Sequence, residues 1–180
     1  MLTDQEREKA LGLLNRSRQA LLESIQGVTE NQARWKPAPE RWSILEYVEH
    51  LAISDDGLIN VIRRSLATPA RPESPEQRKE REDRIRANPI PRGVNQAPEP
   101  LHPHGRFASL ELAAEAFLAA RERSLEFARN TADDLRSHFS NHDVLGPLDG
   151  YQWLIGNARH AETHAAHIRE IRGMADFPKD

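Results

Sequence analysis

Apolar residues recur at helical spacing in four stretches of the chain, and three of these open on a capping residue. In the first, Thr3 and Glu6 have the spacing of a capping box, in which each side chain satisfies an orphan backbone N–H. Leu11, Leu14, Leu21, Leu22 and Ile25 follow on one face, with Arg18 among them, and Gly27 is placed to end the helix. The second begins at Ser43, paired with Glu46, and carries Ile44, Tyr47, Val48, Leu51, Leu58 and Ile62 on its apolar face to about Leu66. The third starts at Ser109 and is rich in Ala, Leu and Glu, with Leu112, Ala116, Phe117, Ala120, Leu125 and Ala128 as its expected buried side. The fourth runs from about Gly150 to Gly173. With no convincing strand pattern and no internal repeat, four long helices predict an all-α domain.

The connections differ in kind. Residues 28–42 read as irregular, because Pro37 and Pro39 forbid a helix interior there. Trp35 and Trp42 lie in this stretch and are expected to plug the ends of the helical assembly. Eight of the twelve prolines lie between Pro69 and Pro103, so residues 69–105 form a long crossover. Within it, residues 71–87 hold six basic and five acidic side chains, the signature of a solvated, partly helical excursion; a lid over a site is the alternative. A short helical piece near Asp133–Leu135 and a loop over 136–149 complete the expected outline.

Composition narrows the function classes. The chain has 180 residues, about one domain's worth, and is read as a single domain over 1–180. Its 25 Lys+Arg against 28 Asp+Glu leave a formal charge of −3, without the basic surplus of an electrostatic nucleic-acid binder. No run of apolar residues is long enough to span a membrane, and the beginning of the chain (MLTDQEREKA) lacks the apolar core of a signal peptide. Cysteine is absent, which excludes disulfides, thiolate metal sites and a Cys nucleophile. A cytoplasmic protein is expected. No GxSxG, P-loop or GxGxxG motif is present.

The informative residues are the eight histidines. At 100° per residue, with His160 at zero, His164 falls at about 40°, His167 at about −20°, and Trp153 and Ile171 at about 20°. Arg159, Glu162 and Arg169 fall on other faces. The three imidazoles therefore share a stripe with bulky apolar residues, where a ring must hydrogen-bond, bind a metal or bear a desolvation cost. The i, i+4 spacing of His160 and His164 lets two ring nitrogens converge on one ion. His50, alone in the N-terminal half, sits at the edge of the second helix's apolar face as a candidate third ligand. Three neutral imidazoles leave coordination positions open, as in a catalytic rather than a structural site. His102 and His104 are expected to be exposed, and His138 and His142 are weak candidates for a pocket mouth. Glu49, Asp55 and Glu162 are candidates to orient an imidazole. Arg121 reads as a surface arginine lying along its helix.

The stretch RWSILEYVEHLAISDD around His50 resembles the first signature of the DinB-like family, and HAETHAAHI resembles the second. Phe117, Arg121 and the HDVLGPLDGYQWL stretch fit the same pattern, and the resemblance covers about residues 5–173. It implies a four-helix bundle with a long crossover and a ligand triad of His50, His160 and His164. His167 then stands as a pocket-lining or supporting residue. The family includes metal-dependent hydrolases and thiol-dependent S-transferases, among them bacillithiol-type transferases and mycothiol-dependent maleylpyruvate isomerase. The resemblance thus implies a divalent ion, zinc or nickel, that activates water or a low-molecular-weight thiol against a small-molecule substrate. No side chain stands out as general base. The competing expectation is a non-catalytic helical module whose histidines form a hydrogen-bonded core and whose apolar faces pair chains into a homodimer.

Overall fold

A computed structural model describes residues 1–87 and 97–179. In chain order the elements are α1 (Asp4–Ile25), α2 (Glu30–Arg34), α3 (Ile44–Leu66), α4 (Pro75–Ala87), a 3₁₀ turn (Glu99–Leu101), α5 (Leu110–Asn130), β1 (Phe139–His142), β2 (Gly146–Asp149) and α6 (Gly150–Arg172). Among the described residues the structure is mostly helical, and no helix is long and apolar enough to cross a membrane.

The caps are where the sequence puts them. Thr3 with Glu6 and Ser43 with Glu46 form reciprocal capping boxes, and the Ser109 hydroxyl accepts the Leu112 N–H. Gly27 lies just past α1 at φ +73°, a left-handed conformation that only glycine adopts without strain. Two elements were not expected. Thr29 and Gln32 cap the one-turn helix α2 inside the stretch read as irregular. Residues 136–149 are not a plain loop: β1 and β2 pair antiparallel, Phe139 opposite Asp149 and His142 opposite Gly146. Four-residue strands, one carrying Pro147, are too short to show a period-2 pattern. Asp133–Leu135 is a turn rather than a helical piece. In the 69–105 stretch, α4 supplies the helical part, and residues 88–96 lie outside the described residues.

Helix directions explain the long return. Arg7 donates to the Arg129 and Thr131 carbonyls and Arg18 pairs with Glu122 at 3.1 Å, so α1 and α5 run antiparallel. His50 meets His160 while Ile62 packs beside Gly150, so α3 and α6 are antiparallel as well. Asp55 and Asp56 bond Arg121 and Arg123, and Arg63 faces the Asn130 end of the next helix, so α3 and α5 run parallel. Parallel neighbours cannot be joined by a tight turn. The chain must travel back by a helix length, roughly 35 Å at 1.5 Å per residue, before α5 can begin.

The core has an ionic centre. Arg121 is fully buried, which corrects its reading as a surface residue. Its guanidinium donates to both Asp55 carboxylate oxygens at 2.9 and 2.8 Å, to Asn157 Oδ1 at 2.9 Å, to Ser17 Oγ at 2.6 Å and to the Leu14 carbonyl at 3.2 Å. One side chain from α5 thereby ties α1, α3 and α6. Leu112, expected in the core, is exposed instead. The buried stripe of α5 passes through Leu110, Ala113, Phe117, Ala120, Arg121, Ser124, Leu125 and Ala128; Phe117, Ala120, Leu125 and Ala128 are buried as expected, and Arg121 and Ser124 are the members that apolar size does not reveal.

Two outcomes follow for stability. Arg121→Met should lower the unfolding free energy by about 3–5 kcal/mol, because Asp55 is left buried without its partner. Adding Asp55→Leu should recover at least half of that loss, since the orphaned charge is gone. Urea unfolding midpoints read both; a loss below about 1 kcal/mol for Arg121→Met would contradict the ionic centre. A Cβ on Gly150 would stand 3.0 Å from Leu135 Cδ2, 3.1 Å from Leu135 Cβ and 3.2 Å from Ile62 Cγ2. Gly150→Ala, which elsewhere in a helix gains up to about 1 kcal/mol, should here cost about 1–2 kcal/mol by overpacking.

Candidate metal centre

His50, His160 and His164 come together. Each offers one ring nitrogen within 4.8 Å of the other two. The Nε2 atoms of His50 and His160 are 3.0 Å apart, and those of His160 and His164 are 2.9 Å apart. The i, i+4 pair stacks on successive turns of α6, as its spacing predicts, and α3 brings His50 across from the antiparallel neighbour. The histidine stripe is not the centre of α6's buried face. That centre is Leu154, Ala158, Ala161, Ala165 and Ile168, and the imidazoles of His160, His164 and His167 lie half-buried on its flank toward α3. His50 is buried.

Hydrogen bonding sets the tautomer on one side. A carbonyl oxygen only accepts, so the 2.7 Å contact between His50 Nδ1 and the Leu101 carbonyl places the ring proton on Nδ1. In neutral His50 the Nε2 lone pair then points at the other two rings. Burial holds the His160 and His164 imidazoles well below the ordinary value, and repulsion from neighbouring imidazoles adds to it. His50 is lowered by burial too, against the opposing pull of the Leu101 hydrogen bond. Neutral imidazoles are what a metal ligand requires. A single proton on His160 Nε2 serves two facing lone pairs poorly, whereas a cation serves three. Two nitrogens about 2.1 Å from one ion stand about 3.0–3.4 Å apart for angles between about 90° and 109°. The two separations, 3.0 and 2.9 Å, lie at or just under the lower end of that range, so the three nitrogens could hold a divalent ion.

The walls are aromatic. Trp42, expected to plug one end of the assembly, is buried with its ring 4.9 Å from His50 and 6.3 Å from His164. Tyr47 lies 5.1 Å from His164 and 5.7 Å from His167. Burial raises the Tyr47 phenol, opposed in part by Arg41. His167 stands next to the triad, 5.4 Å from the His164 ring. Asn157, one turn before His160, connects the site to the Arg121 centre.

The other candidates go elsewhere. His138 Nδ1 meets the Thr68 carbonyl at 2.6 Å, and His142 packs on Trp153 while its Nδ1 accepts the Val144 and Leu145 N–H groups. His104 is exposed, whereas His102 is half-buried, edge-on to Trp42, with Nε2 bonded to the Ala97 carbonyl at 2.7 Å. None of Glu49, Asp55 and Glu162 is seen to orient an imidazole. Asp55 holds Arg121, Glu162 pairs with Arg159, and Glu49 accepts the backbone N–H groups of His104 and Arg106. The partner of His50 is a main-chain carbonyl 51 residues away, which no side-chain pattern announces.

Comparison with known proteins agrees with this arrangement. No curated protein matches the sequence. The DinB superfamily profile matches residues 13–168, a span that holds α3, the whole histidine triad and the Arg121 centre. With most of its length matched, the chain belongs to the DinB superfamily.

Proposed function

We propose that this protein holds one divalent metal ion, zinc or nickel, on His50, His160 and His164, and uses it to activate water or a low-molecular-weight thiol against an electrophilic small molecule. The observation that carries the reading is the convergence of three Nε2 atoms with the His50 lone pair fixed inward. In this reading the four long helices are a four-helix bundle of one domain, with the proline-rich 69–105 stretch as its crossover. A divalent ion there would supply Lewis-acid chemistry, lowering the pKa of a bound water or thiol toward neutrality.

The chain's own residues do the rest. The Leu101 carbonyl orients His50 and buries it, closing that side. His160 and His164 lie on the flank of α6 with Tyr47 and His167 beside them, and in this reading a reactant would approach the ion past those two rings. Trp42 packs against His50 and keeps bulk water from the back of the rings. The same imidazole contacts suit a second reading, a non-catalytic module whose rings hydrogen-bond one another. That reading requires stability to be indifferent to metal.

Two measurements separate these outcomes. Protein purified without a His tag and incubated with zinc or nickel should carry one ion per chain, and His160→Ala and His50→Ala should each lose it. Chelation should lower Tm; metal at 100-fold over its Kd contributes about 2.7 kcal/mol, or roughly 5–10 °C for a chain of this size. No stoichiometric ion and an unchanged Tm would defeat the metal reading. With the metal-loaded protein, a panel of thiols supplied with electrophiles assigns the chemistry. Consumption that depends on thiol marks an S-transferase, consumption without thiol marks a hydrolase, and neither marks a binding module.

A further inference from the structure

The segment Ala97–Arg106 lies against the α3 side of the histidine triad, and two consecutive residues of α3 take hold of it. His50 grips it at Leu101, through Nδ1. Glu49 grips it a few residues further on: its Oε1 accepts the His104 N–H at 2.7 Å and the Arg106 N–H at 3.1 Å. Glu49 is almost wholly buried, and its second oxygen, Oε2, has no hydrogen-bond partner among the described residues. Burying a carboxylate is costly unless its hydrogen bonds repay the lost hydration. Among the described residues, the side-chain hydrogen bonds of Glu49 go to this strap. The strap itself is stiff. Pro98, Pro100 and Pro103 fix three of its φ angles, the 3₁₀ turn closes through His102 N–H to the Glu99 carbonyl, and the His102 ring packs edge-on against Trp42.

We propose that Glu49 is a positioning residue of the metal centre: by clamping the strap at His104 and Arg106 it holds the Leu101 carbonyl on His50 Nδ1–H. This rests on the metal reading above. The ordinary way to orient a ligand imidazole is a carboxylate bonded to its free nitrogen. Here the carboxylate acts one step removed, through a rigid piece of backbone. The arrangement makes the crossover a component of the site, so His50 presents its lone pair to the triad only when the strap is docked. By linkage, an ion on the triad must in turn tighten the strap.

The test uses the full chain, with zinc as the probe. In metal-free protein, the His50 Nδ1–H should give a slowly exchanging ring signal in ¹⁵N NMR. Glu49→Ala should abolish that signal with helical content unchanged and weaken zinc binding by about 10–100-fold. Glu49→Gln keeps an acceptor oxygen and should restore both. In the wild type, where no variant need fold, zinc should slow hydrogen exchange at the His104 and Arg106 amides. The positioning role is overturned if Glu49→Ala keeps the ring signal and binds zinc as the wild type does. It is overturned equally if zinc binds the wild type and leaves those two amides unchanged. A wild type that takes up no zinc overturns the metal reading, and this proposal with it, and is told apart by the silent titration of the unaltered protein.

Discussion

Bringing His50 within 3.0 Å of His160 requires α3 and α6 to face each other at one height and one rotation, and the Arg121 guanidinium imposes that constraint. It bonds Asp55, five residues beyond His50 on α3, and Asn157, three residues before His160 on α6. The antiparallel pair is thus pinned one turn away from the imidazoles. Ser17 and the Leu14 carbonyl add α1 to the same centre. A planar fork with five donors suits the task, because its bond directions are rigid while apolar packing alone tolerates sliding. The cation also lies near the site, where its field adds to burial in keeping the His160 imidazole neutral.

The second constraint is topological. Parallel α3 and α5 put the start of α5 a helix length away from the end of α3, and the 3₁₀ turn ahead of α5 sets the Leu101 carbonyl against His50. A stretch that looks from its composition like a solvated excursion therefore divides in two. Its charged part, α4, has only Ile85 buried and takes little part in the core, although Glu82 of α4 bonds Arg136 beside the cap of α6. Its proline-rich end supplies the carbonyl that fixes the His50 tautomer. Prolines that exclude helix there also make that end stiff enough to present a single atom in a fixed place.

Much of this was legible from residues. The capping boxes at Thr3 and Ser43 locate two helix starts, because side chain and backbone satisfy each other locally. The apolar face of α3, from Ile44 to Ile62, is buried as its spacing predicts. The i, i+4 histidines and His50 meet because helical periodicity fixes which side chains share a face. What was hidden depends on tertiary context. Leu112 and Arg121 exchange their expected environments because a guanidinium can be buried only where Asp55, Asn157 and Ser17 await it, and no local pattern records that. The β1–β2 hairpin is too short for periodicity to register. The histidine stripe lies on the flank of α6's buried face because three alanines, at 158, 161 and 165, mark the line of closest packing, and a reading weighted to bulky residues passes over them. Glu49 and the Leu101 carbonyl act across a gap in sequence that only folding closes.

A neutral cluster of three imidazoles between α3 and α6, walled by Trp42 and Tyr47, could hold a metal ion. Anomalous diffraction from crystals of the zinc- or nickel-loaded protein puts this to the test. The expected result is one strong peak per chain bonded to the Nε2 atoms of His50, His160 and His164, with at least one coordination position left to solvent. A peak held elsewhere, at His102 and His104 for example, or metal-loaded crystals with the triad vacant and its rings in mutual hydrogen bonds, would contradict it.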